Sequence, residues 1–395
     1  MSNTYLNISD ITRESLRVLH EKLSFIGTID RQYDDRFAQS GAKIGSTLAI
    51  RKPVKYTVRT GKTMDVQDAT ETSVTLTLAT QKGVDMGQFS SADMALKIDD
   101  FSKRFIEPAM AVLASDIEYT VLSGVTKQVY NLVGTAGTVP NSMSVFGNAR
   151  ARLNQYLAPK DRNRNVQISS VTMASMVDVY KGLFAPGENI GDQYLEGLVS
   201  RNSGLNWYEN DRVYSHTNGT DHSGITLDND TLVNGDTSCT ITGCSSAPTE
   251  GTVFTFANVY AVHPETKQAY THLQQFVVGS GSTTTNLVFS PAIYSSGANQ
   301  NVNAMPSTTA ALTFHGSAST SYEQGLAYHK DAFAFVTADL PLPRGMHDAY
   351  RVQKDGISMR VVSGYDMVND IFATRVDVLF GYLATRPELA CRISS

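Results

Sequence analysis

Residues 83–125, GVDMGQFSSADMALKIDDFSKRFIEPAMAVLASDIEYTVLSGV, decide how the rest of the chain is organised. The stretch opens as a β-prone run and then predicts a long helix that begins near Glu107, with Pro108 in its first turn and Gly124 as its end. Helical spacing gives this helix an apolar stripe, which consists of Met110, Leu113, Ala114, Ile117 and Val121. Burial of the four larger side chains would contribute about 6–12 kcal/mol, at about 1.5–3 kcal/mol each. The sequence therefore predicts a central helix, here called the spine helix, on which a domain is built.

Acidic residues accompany the spine helix. Asp99, Asp100 and Glu107 crowd the predicted helix starts, where negative charge suits the exposed N–H groups and the helix dipole. Asp116 and Glu118 follow within the helix, and Glu118 falls off the apolar stripe. These five acids are candidates for contact with a basic surface.

Composition limits the classes of function. The 395 residues are enough for two or three domains, and charged residues make up only 18% of them. The net charge of −5 argues against tight nucleic-acid binding, which needs clustered cations, although such a chain can enclose nucleic acid without gripping it. Three cysteines form neither a disulfide framework nor a zinc pattern, the opening MSNTYLN lacks the order of a signal peptide, and no run is long enough to span a membrane. We expect a soluble intracellular product with reduced thiols.

The chain before the spine helix divides into two segments. Residues 1–32 read as an arm with one amphipathic helix, capped by Thr12 and with an apolar edge of Leu16, Leu19, Leu23 and Ile26. Residues 33–90 read as an extended hairpin, the most basic part of the chain, with the cations Arg51, Lys52, Lys55, Arg59 and Lys62. One interpretation is a solvated charged loop, and the other is a projecting loop that lies on an acidic neighbour. Local sequence leaves both open.

The chain after residue 140 alternates in character. Residues 141–212 predict a mixed α/β segment, and residues 213–320 predict a small β-barrel or sandwich inserted into it, because short strands there are separated by turn signals. Residues 321–395 return to the earlier pattern, with residues 369–393 predicted as a long final strand that pairs with something much earlier.

Candidate sites for chemistry are few. There is no G-x-S-x-G elbow, P-loop or G-x-G-x-x-G that opens a helix, and His263 and His272 have no third ligand nearby. Asp228, Asp230 and Asp236 lie on an early connection of the inserted domain that begins like a calcium loop, but Leu232 occupies the next ligand position, which favours a solvated acidic loop. A glycosidase carboxylate pair would not be visible in a sequence. We expect no catalytic residues, metal or cofactor.

The order of these segments resembles that of the major capsid (coat) proteins of tailed double-stranded-DNA phages. The branch it resembles is typified by the coat of short-tailed Salmonella phages, which carries an inserted β-barrel. The resemblance extends over nearly the whole chain, and its carriers are YDDRFAQSGAKIGSTLAIRKP (33–53), MGQFSS to LASDIE (86–118), GTVFTFANVYAVHPETKQAYTHLQQFVV (251–278), GISMRVVSGYD (356–366) and GYLATRPELACRI (381–393).

The resemblance implies an α+β fold, the tailed-phage major capsid fold with an inserted all-β barrel. Its parts would be an N-terminal arm (1–32), an extended loop (33–90), a peripheral domain with the spine helix (91–140), an axial domain (141–212), the inserted barrel (213–320) and return strands (321–395). The implied function is structural: copies form the pentamers and hexamers of an icosahedral virion shell, assembled in the host bacterial cytoplasm.

The same resemblance implies partners. They are other copies of the chain, a scaffolding protein in trans, a portal protein and packaged double-stranded DNA bound without sequence specificity; a decoration protein is a further candidate. The basic hairpin would lie over a neighbour's spine helix, against its five acids. Some distant capsids join a Lys to an Asn between subunits, and Lys52, Lys55 and Lys62 would be the candidates here, although this branch is not expected to do so. The alternatives are the shell of a bacterial cargo compartment with the same fold, and a carbohydrate-active enzyme with a β-rich binding module.

Overall fold

The computed structural model describes residues 8–33, 46–64, 66, 71–90, 102–180, 201–343, 348–366 and 371–395. The chain forms two compact units. The first combines Met1–Ile50, Ser73–Val121 and Phe333–Leu383, and the second combines Arg51–Thr72, Leu122–Ala332 and Ala384–Ser395. No helix among the described residues is both long and apolar enough to cross a membrane.

The N-terminal helices belong to the first unit. The arm was predicted as one helix but forms two, α1 (Ile8–Lys22) and the short α2 (Ser24–Thr28), because Leu23 between them is extended. The predicted apolar edge is buried, with its four members at most 6% exposed: Leu16, Leu19, Leu23 and Ile26. The predicted cap is wrong, because α1 begins at Ile8 and Thr12 is buried inside it. The arm therefore docks on its own unit, since α1 packs on two strands of that unit's sheet and on the turn before the spine helix.

The spine helix, α3 (Glu107–Thr126), follows a π-helical turn at Ser102–Ile106. The stripe residues Met110, Leu113, Ile117 and Val121 are at most 2% exposed. The predicted end at Gly124 is wrong. Val125 extends the buried face past that glycine, and the Thr126 hydroxyl donates to the Leu122 carbonyl at 2.6 Å within the last turn.

Glu118 of the spine helix joins it to the arm. Its buried carboxylate accepts hydrogen bonds from the Ser24 hydroxyl (2.7 Å), the Ser24 N–H (3.1 Å) and the Phe25 N–H (2.7 Å). These N–H groups belong to the first turn of helix α2, where a side-chain acceptor commonly serves as a cap. Glu118 thus caps α2 from another helix, an arrangement we call the arm clasp.

The first unit contains a six-stranded sheet. Its strands, numbered along the chain, are β1 (Asp30–Tyr33), β16 (Ala334–Ala338), β19 (Ile371–Leu383), β18 (Ile357–Asp366) and β17 (Asp348–Lys354) in spatial order, with β4 (Thr80–Ser90) also paired to β19. On β19, Asp377 is buried and accepts from Arg360 at 2.6 Å and Arg375 at 2.8 Å. Burial opposes ionisation, but these hydrogen bonds outweigh it and lower the pKa of Asp377.

The base of the extended hairpin packs on this sheet. Strands β2 (Ser46–Arg51) and β3 (Ser73–Leu78) pair, and Leu76 and Leu78 lie in one apolar cluster with Val336 of β16 and Leu379 of β19. Contact between β3 and β19 is close at Gly381, where a Cβ atom would lie 2.5 Å from the Thr77 carbonyl oxygen.

We expect Gly381→Ala to destabilise the protein by about 1–3 kcal/mol, because the added methyl forces β3 away from β19. Urea unfolding followed by tyrosine fluorescence measures the change. Gly27→Ala is the matched control: Gly27 lies in α2 with no atom within 4 Å of its Cβ position, so this change should be neutral or slightly stabilising. Equal stability of the two variants would contradict the close packing at Gly381.

The second unit contains another six-stranded sheet. Its strands are β5 (Leu132–Gly134), β20 (Ala390–Ser394), β15 (Ser321–His329), β6 (Arg164–Ile168) and β7 (Asn206–Glu209) in spatial order, with β8 (Tyr214–Thr217) also paired to β15. Helices α4 (Met143–Gln155) and α5 (Ser170–Tyr180) belong to the same unit, and the Ser142 hydroxyl caps α4 by accepting from the Ser144 N–H at 3.2 Å.

The closing segment of the chain belongs to both sheets. Residues 369–393 were predicted as one strand, but β19 ends at Leu383 and a 3₁₀ turn at Pro387–Leu389 precedes β20, so that prediction is wrong. Pro387 supplies no N–H to a strand ladder, which explains the interruption. As predicted, the final strand pairs with a much earlier one, since β20 runs parallel to β5.

The inserted domain is a closed barrel. Its six strands, in spatial order, are β14 (Leu312–Phe314), β11 (Val253–Val262), β12 (Ala269–Val278), β13 (Asn286–Ser290), β10 (Ser238–Thr242) and β9 (Thr226–Leu227). The edges meet where the Leu227 N–H donates to the Ala310 carbonyl (3.0 Å) and the Leu312 N–H to the Ile225 carbonyl (2.9 Å). The interior is centred on four buried rings, Phe254, Phe256, Phe276 and Phe289. Of the two predicted architectures, barrel and sandwich, the barrel is observed.

Candidate functional site

The tip of the hairpin, residues 51–66, is exposed along most of its described length. The Arg51 guanidinium bonds Glu71 at 2.9 Å, with both side chains more than half exposed. Arg59 donates to the carbonyl oxygens of Gly61 and Thr63, the latter at 2.8 Å. The three lysines of the predicted set are half-buried (Lys52) or exposed (Lys55 and Lys62). Apart from the half-buried Lys52, these cations face solvent in the single chain, and the two arginines have partners within the same loop.

The hairpin tip also carries apolar side chains that the sequence analysis missed. Four of them are strongly exposed: Tyr56 (63%), Val58 (94%), Met64 (76%) and Val66 (74%). Four exposed apolar side chains on one short loop make that loop a candidate binding surface. The signal was available in the sequence, since Tyr56 and Val58 stand directly beside Lys55 and Arg59, but burial by another chain cannot be inferred from this spacing alone.

The exposed face of the spine helix, like the hairpin tip, combines apolar and charged side chains. Val112 (65% exposed), Asp116 and Tyr119 (48% exposed) lie at intervals of four and three residues, which places them on one face of α3. Asp116 bonds Lys82 at 2.6 Å, and its side chain remains 56% exposed. Glu107 lies half-buried in the first turn, whereas Asp99 and Asp100 lie outside the described residues.

Glu118 is not part of this outer face. It was predicted to oppose a neighbour's basic hairpin, but it is 0% exposed and is used by the arm clasp. The prediction for this residue is wrong because α2 covers α3 on that side, so this position is buried although it lies off the main apolar stripe.

The acidic connection of the barrel is organised by its own backbone. Asp230 accepts from the Thr240 N–H and Asp236 from the Val233 N–H, both at 2.7 Å, while Asp228 is exposed. No cluster of three His, Cys, Asp or Glu side chains suited to a metal occurs in the described part of the chain. These hydrogen bonds shape the connection, and nothing in its geometry indicates catalysis.

Comparison with known families identifies the class of protein. Residues 14–392 match the model of the family described as "P22 coat protein - gene protein 5". The chain is a bacteriophage capsid coat protein, and its α+β fold with an inserted barrel is that of a phage major capsid protein. It belongs to the P22 coat protein family.

Solved structures show more distant similarities. The chain is 12% identical to a structure from Mycobacterium phage Che8 (TM-score 0.46, covering 94% of this chain and 90% of that one) and 10% identical to the mature capsid of bacteriophage PhiM1 (TM-score 0.44, 94% and 86%). The CUS-3 coat protein I-domain is 27% identical, with a TM-score of 0.19, over 23% of this chain and 93% of that one. No curated protein sequence matches the chain. Membership of the family depends on the match over residues 14–392.

Proposed function

We propose that this coat protein assembles with copies of itself into the pentamers and hexamers of an icosahedral shell that encloses double-stranded DNA. The observation that carries the proposal is the exposed hairpin tip in a member of a capsid coat family. An apolar surface of this kind needs a partner, and the partner available in every copy of a shell is the neighbouring subunit. The net charge of −5 suits a container in which DNA is enclosed without sequence-specific binding.

The neighbour's spine helix is the proposed contact. Tyr56 and Val58 of the tip would pack against Val112 and Tyr119, while the tip cations lie near Asp116. Each exposed ion pair adds only about 0–1 kcal/mol, and buried apolar area adds about 25 cal/mol per Å². The apolar side chains therefore supply most of the affinity, and the charges direct the tip to the right face. Repetition over a shell multiplies a weak contact.

Further partners follow from the same function. We propose a scaffolding protein in trans, a portal protein and, on the outer surface, a decoration protein, with assembly in the host bacterial cytoplasm. The subunit has no catalytic role in this proposal. The acidic connection of Asp228, Asp230 and Asp236 acts as a shaped, solvated loop of a domain that supports folding and stability.

Electron microscopy of the protein expressed with and without its scaffolding protein tests this function. We expect closed shells of uniform size with the scaffolding protein, and aberrant particles or free subunits without it. Peptide cargo inside purified shells would favour the compartment alternative, because a phage shell fills with DNA. Substrate turnover by a subunit that never forms particles would overturn the proposal.

A further inference from the structure

The inserted barrel is joined to the sheet of the second unit by a buried arginine. Arg392 of β20 is 0% exposed, and its Nη1 donates to the Gly251 carbonyl at 2.6 Å and to Gln324 Oε1 of β15 at 2.9 Å. Its Nη2 donates to the Lys127 carbonyl at 3.0 Å. Gly251 and Thr252 immediately precede β11, so one guanidinium connects the barrel, the sheet and the end of the spine helix. We call this region the barrel junction.

A buried histidine makes the second contact at the barrel junction. His216 of β8 is 0% exposed, with Nδ1 3.1 Å from the Tyr214 hydroxyl and Nε2 3.0 Å from the Thr252 hydroxyl. Both ring nitrogens are thus used by neutral partners. The contact to Thr252 joins the sheet to the residue next to the one that Arg392 binds.

The charges around His216 all oppose its protonation. The titratable groups that face it are Tyr214 on its own strand, Tyr322 on β15, Arg392 on β20, Lys127 after α3, and His222 and His315 in the segments that flank the barrel. Of these groups, Arg392 and Lys127 carry charge near neutral pH, and both are cations. Burial, followed by the charges of Arg392 and Lys127, lowers the pKa of His216 to about 3, and burial together with Arg392 lowers the pKa of His315 to about 4.

We propose that the barrel junction is an acid-sensitive hinge, in which protonation of His216 beside Arg392 releases Gly251 and Thr252 from the sheet while the barrel itself stays folded. The proton comes from solvent and no covalent bond changes, while the hydrogen bonds of Arg392 to Gly251 and of His216 to Thr252 are lost. A second cation next to a buried guanidinium, in a region that excludes water, strongly favours the open arrangement.

Two features keep the barrel attached and folded when the junction opens. Gln275 of β12 donates to the Leu132 carbonyl at 2.9 Å and accepts from the Leu132 N–H at 2.8 Å, and neither group titrates. The barrel interior is centred on phenylalanine rings, which do not titrate either. The barrel would therefore pivot about β5 rather than unfold.

The direction of the pH effect follows from the two forms of His216. In the open form its pKa returns to about 6.5, so that form binds more protons. The closed junction is fully stable above about pH 6.5 and loses about tenfold in its closed-to-open ratio for each pH unit below that, until the pH approaches the closed-form pKa of about 3.

Hydrogen exchange of the full-length, unassembled protein between pH 7 and pH 4, corrected for the intrinsic pH dependence of exchange, tests the hinge. We expect protection to fall by about tenfold per pH unit below about 6.5 in β8 and at residues 251–253, with β13 unchanged. Simultaneous loss of protection in β13 would overturn the proposal, because it would mean that the barrel unfolds.

His216→Gln keeps polar atoms at the junction but cannot take up the proton. We expect this variant to lose the His216 part of the acid response, about tenfold per pH unit, and to keep at most the part due to His315, while the matched control His263→Gln, at the other end of β11, responds like the wild type. An unchanged acid response in His216→Gln would overturn the hinge. Should this variant not fold, NMR titration of the wild-type His216 ring decides: a pKa below about 5 supports the proposal, and one above about 6 overturns it.

Discussion

Replacement of Arg51, Lys52 and Lys55 by Glu is expected to block shell assembly while the subunit remains folded. The three residues lie at the start of the exposed hairpin tip, where they would approach Asp116 of a neighbour. Reversal turns each attraction into repulsion at every copy of the contact, and like charges placed opposite each other cost more than the attraction they replace. Negative-stain microscopy and sedimentation velocity measure assembly, and circular dichroism with urea unfolding measures folding.

A control separates the contact from net charge. Lys160→Glu, Arg162→Glu and Lys330→Glu change the net charge by the same amount at exposed positions away from the hairpin, and we expect normal shells from that triple variant. A second pair, Tyr56→Ser and Val58→Ser, removes apolar contact without altering charge and should weaken assembly as well. Normal shells from the hairpin charge reversal would refute the contact.

Glu118→Ala is expected to destabilise the protein by about 1–3 kcal/mol for each buried N–H donor that loses its acceptor, a large share of the about 5–15 kcal/mol that typically holds a domain folded. The change removes a buried carboxylate and leaves the N–H groups of Ser24 and Phe25 without the acceptor that caps α2. A buried donor that loses its acceptor costs about 1–3 kcal/mol. Urea unfolding of the unassembled subunit gives the value.

Asp116→Ala is the matched control for the arm clasp. Asp116 lies on the same helix, but its side chain is 56% exposed and pairs with Lys82 at the surface, so we expect a loss of at most about 1 kcal/mol. Similar losses for the two variants would show that the arm clasp does not stabilise the fold. For shell assembly by folded subunits we expect the reverse order, with the larger effect from Asp116→Ala, because Asp116 and not Glu118 faces outward.

Local patterns were sufficient for much of the fold. The helical spacing of Met110, Leu113, Ile117 and Val121 predicted the buried face of α3, and the alternation of short strands with turn signals predicted a small β-barrel or sandwich. Both depend on contacts between residues near each other in sequence, which periodicity records. The start of the spine helix at Glu107 was also predicted, since Pro108 in a first turn is a local signal.

The errors occurred where distant segments decide the outcome. Glu118 caps α2 through Ser24 and Phe25, which lie 94 and 93 residues earlier in the chain. No local pattern shows that α2 covers this side chain. The closing segment, residues 369–393, was predicted as one strand, but its two halves, β19 and β20, enter different sheets and pair there with strands from much earlier in the chain. The exposed side chains of the hairpin tip were missed for a related reason, since their proposed partner lies in another molecule.

The position of β20 has a consequence for the synthesis of the protein. This strand lies between β5 and β15, yet residues 390–394 leave the ribosome after every other strand of the sheet. Until then β5 and β15 present unpaired backbone groups, and such groups readily pair with other chains. A product cut short by a nonsense codon or a protease before residue 390 is therefore expected to aggregate, which keeps incomplete copies out of the virion.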